Sequence, residues 1–403
     1  MAVNLSAPED LLAVNGIRLA AVNAGIRYKN RNDVLLMELA EGTQVAAVFT
    51  RNAFCAAPVT VAREHLAAAE PRYLLINAGN ANAGTGAAGL QAARECCAIV
   101  AELTGVAANQ VLPFSTGVIG QSLPVQHFAK VLPQAVAQLD ASAWADAAKT
   151  IMTTDTVPKA ISRQLDLSGG CVTITGIAKG SGMIHPDMAT MLAYVATDLC
   201  LPQQALQPLL SEVCDVSFNS ITVDGDTSTN DALILAATGV SGVQLETAAD
   251  KLAFQQALQE VCLYLAQAIV RDGEGASKFI SVMVEGALHR AEARKVAQTV
   301  ALSPLVKTAM FASDPNWGRI LAAVGRSPID QLDVSKVSIF LGNTLLIEQG
   351  QPAATYTEER GQLEMKQDEI VVRILLNRGE ASTTVWTCDF SYDYVKINAE
   401  YRS

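Results

Sequence analysis

Lys179-Gly-Ser-Gly-Met-Ile-His-Pro-Asp-Met-Ala-Thr190-Met-Leu-Ala-Tyr-Val-Ala-Thr197 changes character at a single bond. Up to Ala189 the stretch is glycine, proline and polar or charged side chains; from Thr190 onward it becomes an apolar run. A short apolar run bounded by turn residues predicts a strand, here Met191 to Ala196, entered from a loop. The hydroxyl at the joint stands where it can attack the preceding carbonyl, a reaction that requires a held geometry. Threonine also favours strands for reasons unrelated to chemistry, so the residues alone favour a plain loop-to-strand junction.

Outward from this stretch, similar runs predict strands at Val34 to Ala40, Val45 to Thr50, Tyr73 to Asn77, Cys171 to Ile177, Ala232 to Ala237, Phe279 to Val284 and Ile370 to Leu376. Helical periodicity marks Leu90 to Thr104, closed by Gly105, then Gln203 to Val216 and Ala248 to Val270. Strands and helices mixed at irregular spacing predict layered α/β or α+β packing and no repeat array. A short charged stretch near Gly286 to Lys295 is the best candidate boundary, giving a main domain over 1–285 and a C-terminal lobe over 286–403.

The chain has 403 residues, 50% of them hydrophobic and 17% charged, enough to bury a large core. With 40 acidic against 29 basic residues its net charge is -11, which disfavours nucleic acid and anionic lipid and favours a small-molecule partner. The first residues, Met1 to Gly16, lack the pattern of a secretory or transit signal, and no apolar run reaches membrane-spanning length, so a cytoplasmic location is expected. Eight cysteines without C-x-x-C spacing read as reduced thiols packed as small hydrophobes. Four histidines without H-E-x-x-H predict no metal site.

Two motifs mislead. Gly84-Thr-Gly-Ala-Ala-Gly89 is a literal G-x-G-x-x-G, but Ala78 to Ala83 separate it from the preceding strand, whereas a dinucleotide-binding turn begins directly at the strand end. Asp224-Gly-Asp-Thr-Ser-Thr-Asn-Asp231 imitates the start of a calcium loop, yet its sixth position is Thr229 and its twelfth Leu235, where glycine and a bidentate glutamate are required. A hydrogen-bonded turn or a polar pocket wall is the better account.

The stretch from Lys179 to Leu192 resembles the processing site of the ornithine acetyltransferase family, whose precursors are cut between alanine and threonine in an Ala-Thr-Met-Leu context. Further segments resemble the family in the same order: Asn77–Gly84, Ser115–Gly120, Met152–Thr156, Asp224–Asp231, Asp272–Gly275, Ser313–Arg319 and Asp393–Ser403. The resemblance implies a layered αββα sandwich with a smaller C-terminal α/β lobe. It also implies self-cleavage between Ala189 and Thr190 into fragments 1–189 and 190–403, which stay associated as an α2β2 heterotetramer.

The implied activity is acetyl transfer from N2-acetylornithine to glutamate through acetyl-Thr190, in arginine biosynthesis, with no cofactor and with acetyl-CoA left open as a second donor. Thr190 is the implied nucleophile, Thr116 and Gly117 the oxyanion hole, and Thr153, Lys179, Thr190, Glu274, Asn398 and Ser403 the substrate-binding residues. The chemistry is coherent with these residue types. A freed threonine α-amine, with a pKa of about 7.7–8.0, serves as its own base where histidines are few. Donors fixed at the developing oxyanion contribute roughly 3–4 kcal/mol. Glu274 offers a counter-charge to the ornithine δ-ammonium. The alternatives are an N-terminal-nucleophile aminopeptidase, which shares the cut and hands the acyl group to water, and an uncleaved dinucleotide-binding protein.

Overall fold

The computed structural model describes residues 2–185 and 191–400. Ala7–Asn219 with Asp226–Ile269 form one unit, and Met1–Ser6 with Ser220–Gly225 and Val270–Ser403 the other.

The larger unit is built on two sheets. The first, in the order β1-β2-β4-β5, comprises β1 (Ile17–Val22), β2 (Val34–Leu39), β4 (Tyr73–Asn80) and β5 (Val111–Val118). The second runs β3 (Gln44–Phe49), β9 (Ala232–Ala237), β8 (Leu192–Thr197), β7 (Gly170–Lys179) and β6 (Lys159–Leu167). Between them lies one core in which Leu35, Met37, Leu74, Ile76 and Phe114 of the first sheet meet Ile177, Tyr194 and Ile234 of the second. The alternate residues Val34, Leu36, Tyr73 and Leu75 turn the other way, onto α2 (Gly86–Thr104) and α3 (Val125–Ala137). Both faces of these strands are thus covered, which is why they read as continuous apolar runs instead of alternating ones.

Helices also cover the far face of the second sheet. A Cβ at Gly176 of β7 would lie 2.9 Å from Leu265 and 3.2 Å from Val261 of α6 (Ala248–Arg271), so this glycine lets the helix sit close on the sheet. On α5 (Gln203–Val216), Gln207 both donates to the Ala47 carbonyl and accepts from the Ala47 amide at 3.2 Å, and Gln203 donates to the Val45 carbonyl at 3.0 Å. These side chains occupy the free edge of β3, which would otherwise expose unpaired backbone groups. The result is helix, sheet, sheet, helix, the αββα layering expected from the resemblance. Two shorter helices, α1 (Ala57–Ala68) and α4 (Trp144–Thr150), complete this unit.

The smaller unit carries a six-stranded sheet in the order β13-β12-β11-β14-β10-β15: β10 (Phe279–Ala287), β11 (Ser338–Leu341), β12 (Thr344–Glu348), β13 (Gln351–Pro352), β14 (Glu369–Leu375) and β15 (Ala381–Cys388). Val282 and Val284 of β10, with Val372 and Ile374 of β14, pack against Val296 and Val300 of α7 (Arg290–Ala301) and Ile320 of α9 (Trp317–Gly325). Between those helices lies α8 (Pro304–Phe311), and α10 (Glu358–Met365) and α11 (Tyr392–Ala399) follow later in the chain. A boundary after Glu285 would cut through β10. That strand pairs with β14 and β15, so the smaller unit starts earlier, within the last turn of α6.

Every strand and helix expected from the sequence is present. Those not expected have weak local signals: β5 contains Pro113 and Gly117, and Pro113 is tolerated because β5 is an edge strand. Among the cysteines, Cys96, Cys97, Cys214, Cys262 and Cys388 are buried and none is disulfide-bonded, but Cys171, at the start of β7, is exposed, contrary to the apolar packing expected of it.

Phe114 and Tyr194 meet edge to face between the sheets, with ring centroids 5.4 Å apart. The Tyr194 hydroxyl is buried there with no hydrogen-bond partner among the described residues, and burial pushes its pKa well above the ordinary value. An unsatisfied buried hydroxyl costs about 1–3 kcal/mol. Tyr194→Phe should therefore raise the urea midpoint of unfolding, by an amount equivalent to about 1 kcal/mol; a lowered midpoint would show that the hydroxyl is bonded.

Candidate active site

Two strand ends, one from each sheet of the larger unit, meet at the candidate site. At the end of β5 stand Thr116 and Gly117, and at the end of β7 stands Lys179, 8% exposed, whose ammonium donates to the Thr116 hydroxyl at 3.3 Å. Gly117 has φ +133°, and a Cβ there would fall 2.3 Å from the Gly79 carbonyl carbon, so only glycine fits. At this point β4 and β5 leave regular register: Asn80 faces both Thr116 and Val118. Such a bulge re-aims a strand end.

An asparagine series supports that bulge. Asn77 donates to the Ser115 hydroxyl at 2.6 Å and accepts from the Asn80 amide at 3.2 Å. Asn80 in turn accepts from the Asn82 amide at 2.7 Å, and Asn82 donates to the Gly89 carbonyl at 2.9 Å. The Gly84–Gly89 string is the bend into α2, where a Cβ on Gly89 would lie 1.9 Å from the Thr85 hydroxyl oxygen. This is close packing of the turn on itself.

The segment that imitates a calcium loop is likewise bound to its surroundings. Asn230 donates to the Ala81 carbonyl at 2.6 Å, the Thr229 carbonyl accepts from the Ala56 amide at 2.9 Å, and the carbonyls of Thr227 and Ser228 accept from the side chains of Asn52 and Thr50. Among the described residues no group of three or more His, Cys, Asp or Glu side chains converges as a metal site would. The loop instead supplies Asn230 and Asp231 to a small pocket whose wall also includes Thr116, Lys179 and Met191.

One carboxylate ties several of these pieces together. Asp155, fully buried, accepts from the Lys159 ammonium at 2.6 Å, from the Gly180 amide at 2.7 Å and from the Thr153 amide at 3.0 Å. Burial alone would raise its pKa, but the Lys159 and Lys179 charges and these hydrogen bonds outweigh it and hold the carboxyl below the ordinary range. Thr153 and the chain just past Lys179 are thereby fixed to one group. Neither Asp155 nor Lys159 stands out in the sequence as a functional residue. The available signal is weak: an acid and a lysine four apart in a stretch whose Val157-Pro158 disfavours a helical pair, which says nothing of burial.

In the smaller unit, Glu274 is 7% exposed and accepts from the Asn398 amide at 2.8 Å. The turn that carries it is clamped by α11: Ser391 donates to the Gly275 carbonyl at 2.6 Å, and Gly275, at φ +70°, leaves only 2.4 Å between a Cβ and the Tyr394 amide nitrogen. Thr116, Gly117, Thr153 and Lys179 are thus brought together in one unit, and Glu274 and Asn398 in the other. Ala189, Thr190 and Ser403 lie outside the described residues. His185 offers its carbonyl to the Thr227 hydroxyl at 3.3 Å.

Breaking a buried pair by removing one partner costs about 3–5 kcal/mol. Asp155→Asn should lower unfolding stability at neutral pH by that order, read from urea midpoints. Because the folded-state pKa of Asp155 is depressed, its contribution is present above the unfolded value of about 3.9 and is lost as pH falls through the folded one. The gap between wild type and variant should accordingly narrow below about pH 4. A gap that widens on acidification would contradict the assignment.

The ArgJ family model matches residues 18–403. The arginine biosynthesis bifunctional protein ArgJ of Pseudomonas syringae pv. tomato is 53% identical over 406 residues, covering 100% of both chains. Its counterpart from Methylococcus capsulatus is 54% identical over 407 residues, covering 99% of this chain and 100% of its own. Among solved structures, the arginine biosynthesis bifunctional protein ArgJ of Bacillus halodurans is 40% identical, covers 52% of this chain and 98% of its own, and superposes with a TM-score of 0.49. A family match that begins at Arg18 and runs to the last residue, with full-length relatives above half identity, means that this chain belongs to the ArgJ family.

Proposed function

We propose that this acetyltransferase of arginine biosynthesis moves the acetyl group of N2-acetylornithine to glutamate through an ester on Thr190, after cutting its own chain between Ala189 and Thr190. The observation that carries this reading is the meeting of Thr116, which directly precedes Gly117, with Lys179 at the pocket wall that also includes Met191, the residue directly after the proposed nucleophile.

The freed α-amine of Thr190 takes the hydroxyl proton as the oxygen attacks the acetyl carbonyl. The oxyanion that forms is received by the Thr116 hydroxyl and the Gly117 amide, with the Lys179 ammonium beside Thr116 adding positive field. Collapse expels ornithine and leaves acetyl-Thr190. Glutamate then enters, its amine attacks the ester, and the same donors serve the second tetrahedral intermediate. Lys179 and Thr153 suit the α-carboxylate that both substrates share, whereas Glu274, steadied by Asn398, suits the δ-ammonium that only ornithine carries. Ser403 completes the binding set.

The bifunctional names of the relatives support acetyl-CoA as a second acetyl donor at the same threonine. No resident cofactor is needed for either transfer, because the threonine itself carries the acyl group. We place the enzyme in the cytoplasm as an α2β2 assembly of its two fragments. Among the described residues no helix is long and apolar enough to cross a membrane.

An initial-rate assay of glutamate acetylation by acetylornithine tests the reading. Glu274→Gln should raise the KM for acetylornithine about 10- to 100-fold, as expected for losing a hydrogen bond to a charged group, and leave the KM for glutamate nearly unchanged. Equal losses for both substrates would show that Glu274 does not distinguish them. Release of acetate without acetylglutamate would favour the aminopeptidase-type alternative.

A further inference from the structure

We propose that Asp231 is the acid–base residue of the chain cut, the group that gives a proton to the Thr190 nitrogen as it leaves Ala189. This rests on the proposed self-cleavage at Thr190 and assigns it a residue that the transfer reaction does not require.

The placement follows from strand pairing. β8 and β9 run parallel with Leu192 opposite Ala232, and the Ala232 amide donates to the Met191 carbonyl at 2.9 Å. Asp231 therefore stands at the head of β9 beside the head of β8, and the chain bond links Met191 directly to Thr190. The Asp231 side chain is 2% exposed and lines the pocket with Thr116 and Lys179.

Its bonding contrasts with that of Asp155. Both Asp155 oxygens accept hydrogen bonds, the arrangement expected of a permanently ionised structural carboxylate. Asp231 Oδ2 is buried and, among the described residues, has no hydrogen-bond partner. An ionised oxygen left in that position would be costly, whereas a protonated one is a donor available to a reacting group. Burial raises the Asp231 pKa well above the ordinary carboxylate value, against the opposing pull of the Ser228 and Thr50 hydroxyls and the Lys179 charge. Burial of an oxygen without a partner in a polar pocket favours the neutral acid, the state required to protonate an amine leaving group.

The step balances without any outside reagent until the last stage. The Thr190 hydroxyl oxygen bonds to the Ala189 carbonyl carbon, and the bond from that carbon to the Thr190 nitrogen breaks. The nitrogen takes the Asp231 proton, and the carboxylate so formed takes the proton given up by the hydroxyl, restoring the neutral acid. Water then adds to the ester, releasing the Ala189 carboxylate and the free Thr190 hydroxyl.

Asp231→Asn preserves the shape of a neutral carboxyl but has no proton to exchange; Asp231→Glu keeps the acid on a longer arm. Each full-length chain is made by cell-free synthesis, checked for a cooperative thermal transition, and followed over time by denaturing intact-mass spectrometry. General acid–base groups contribute about 100- to 10,000-fold. The folded Asp231→Asn chain should therefore be cut at least about 100-fold more slowly than wild type, with Asp231→Glu at least about tenfold faster than Asp231→Asn. Wild-type cutting in Asp231→Asn overturns the proposal, as does a folded Asp231→Glu that stays whole. Thr190→Ala, run in parallel, keeps the two questions apart: cutting in that variant sinks the parent reading, whereas its staying whole while Asp231→Asn is cut normally sinks only the role of Asp231.

Discussion

Face-to-face packing of the two sheets in the larger unit is the constraint from which the site follows. The spacing of two such sheets, about 10 Å, is set by the side chains between them. Here Phe114 of β5 and Tyr194 of β8 meet edge to face within that layer. Because β5 and β7 end at the same place across the interface, Thr116 from one sheet and Lys179 from the other come within hydrogen-bond distance. A site assembled from strand ends on a packed core is held far more rigidly than one made of loops, and catalysis by fixed donors depends on that rigidity.

Buried charge does the fine positioning. Asp155 joins three separated pieces of backbone and side chain through short bonds, and its ionised state is maintained by the ammonium of Lys159 beside it and by the charge of Lys179. Asp231, in the same unit and equally buried, has no ammonium bonded to it and is pushed toward the neutral form. Two carboxyls of one chemical type are thus shifted in opposite directions by their surroundings, the pattern that separates a fixed anion from a candidate proton donor.

The long apolar strands and helices were legible because their period is intrinsic to the residues, and strands covered on both faces give unbroken apolar runs, as at Tyr73 to Asn77. Strand β5 was not legible: Pro113 and Gly117 suppress its local signal, and only its place at a sheet edge and its close approach to Gly79 explain them. The boundary expected after Glu285 differs from the division into units because β10 pairs with β14 and β15, partners about 90 to 110 residues away, a non-local fact that composition does not carry. Thr116, Gly117, Lys179 and Glu274 are named as site residues through resemblance alone. Asp155 is not singled out in the sequence, and Asp231 is read there only as part of a turn or pocket wall, because an aspartate's role depends on burial and partners, which a one-dimensional string does not display.

The most direct test of the covalent account is rapid-quench mass spectrometry of the wild-type enzyme exposed to acetylornithine without glutamate. The account predicts a fragment that begins at Thr190 and carries one added acetyl group on that residue, which disappears when glutamate is supplied. Full transfer activity in an uncut chain, or transfer without any acetylated Thr190 at the quench, would contradict it.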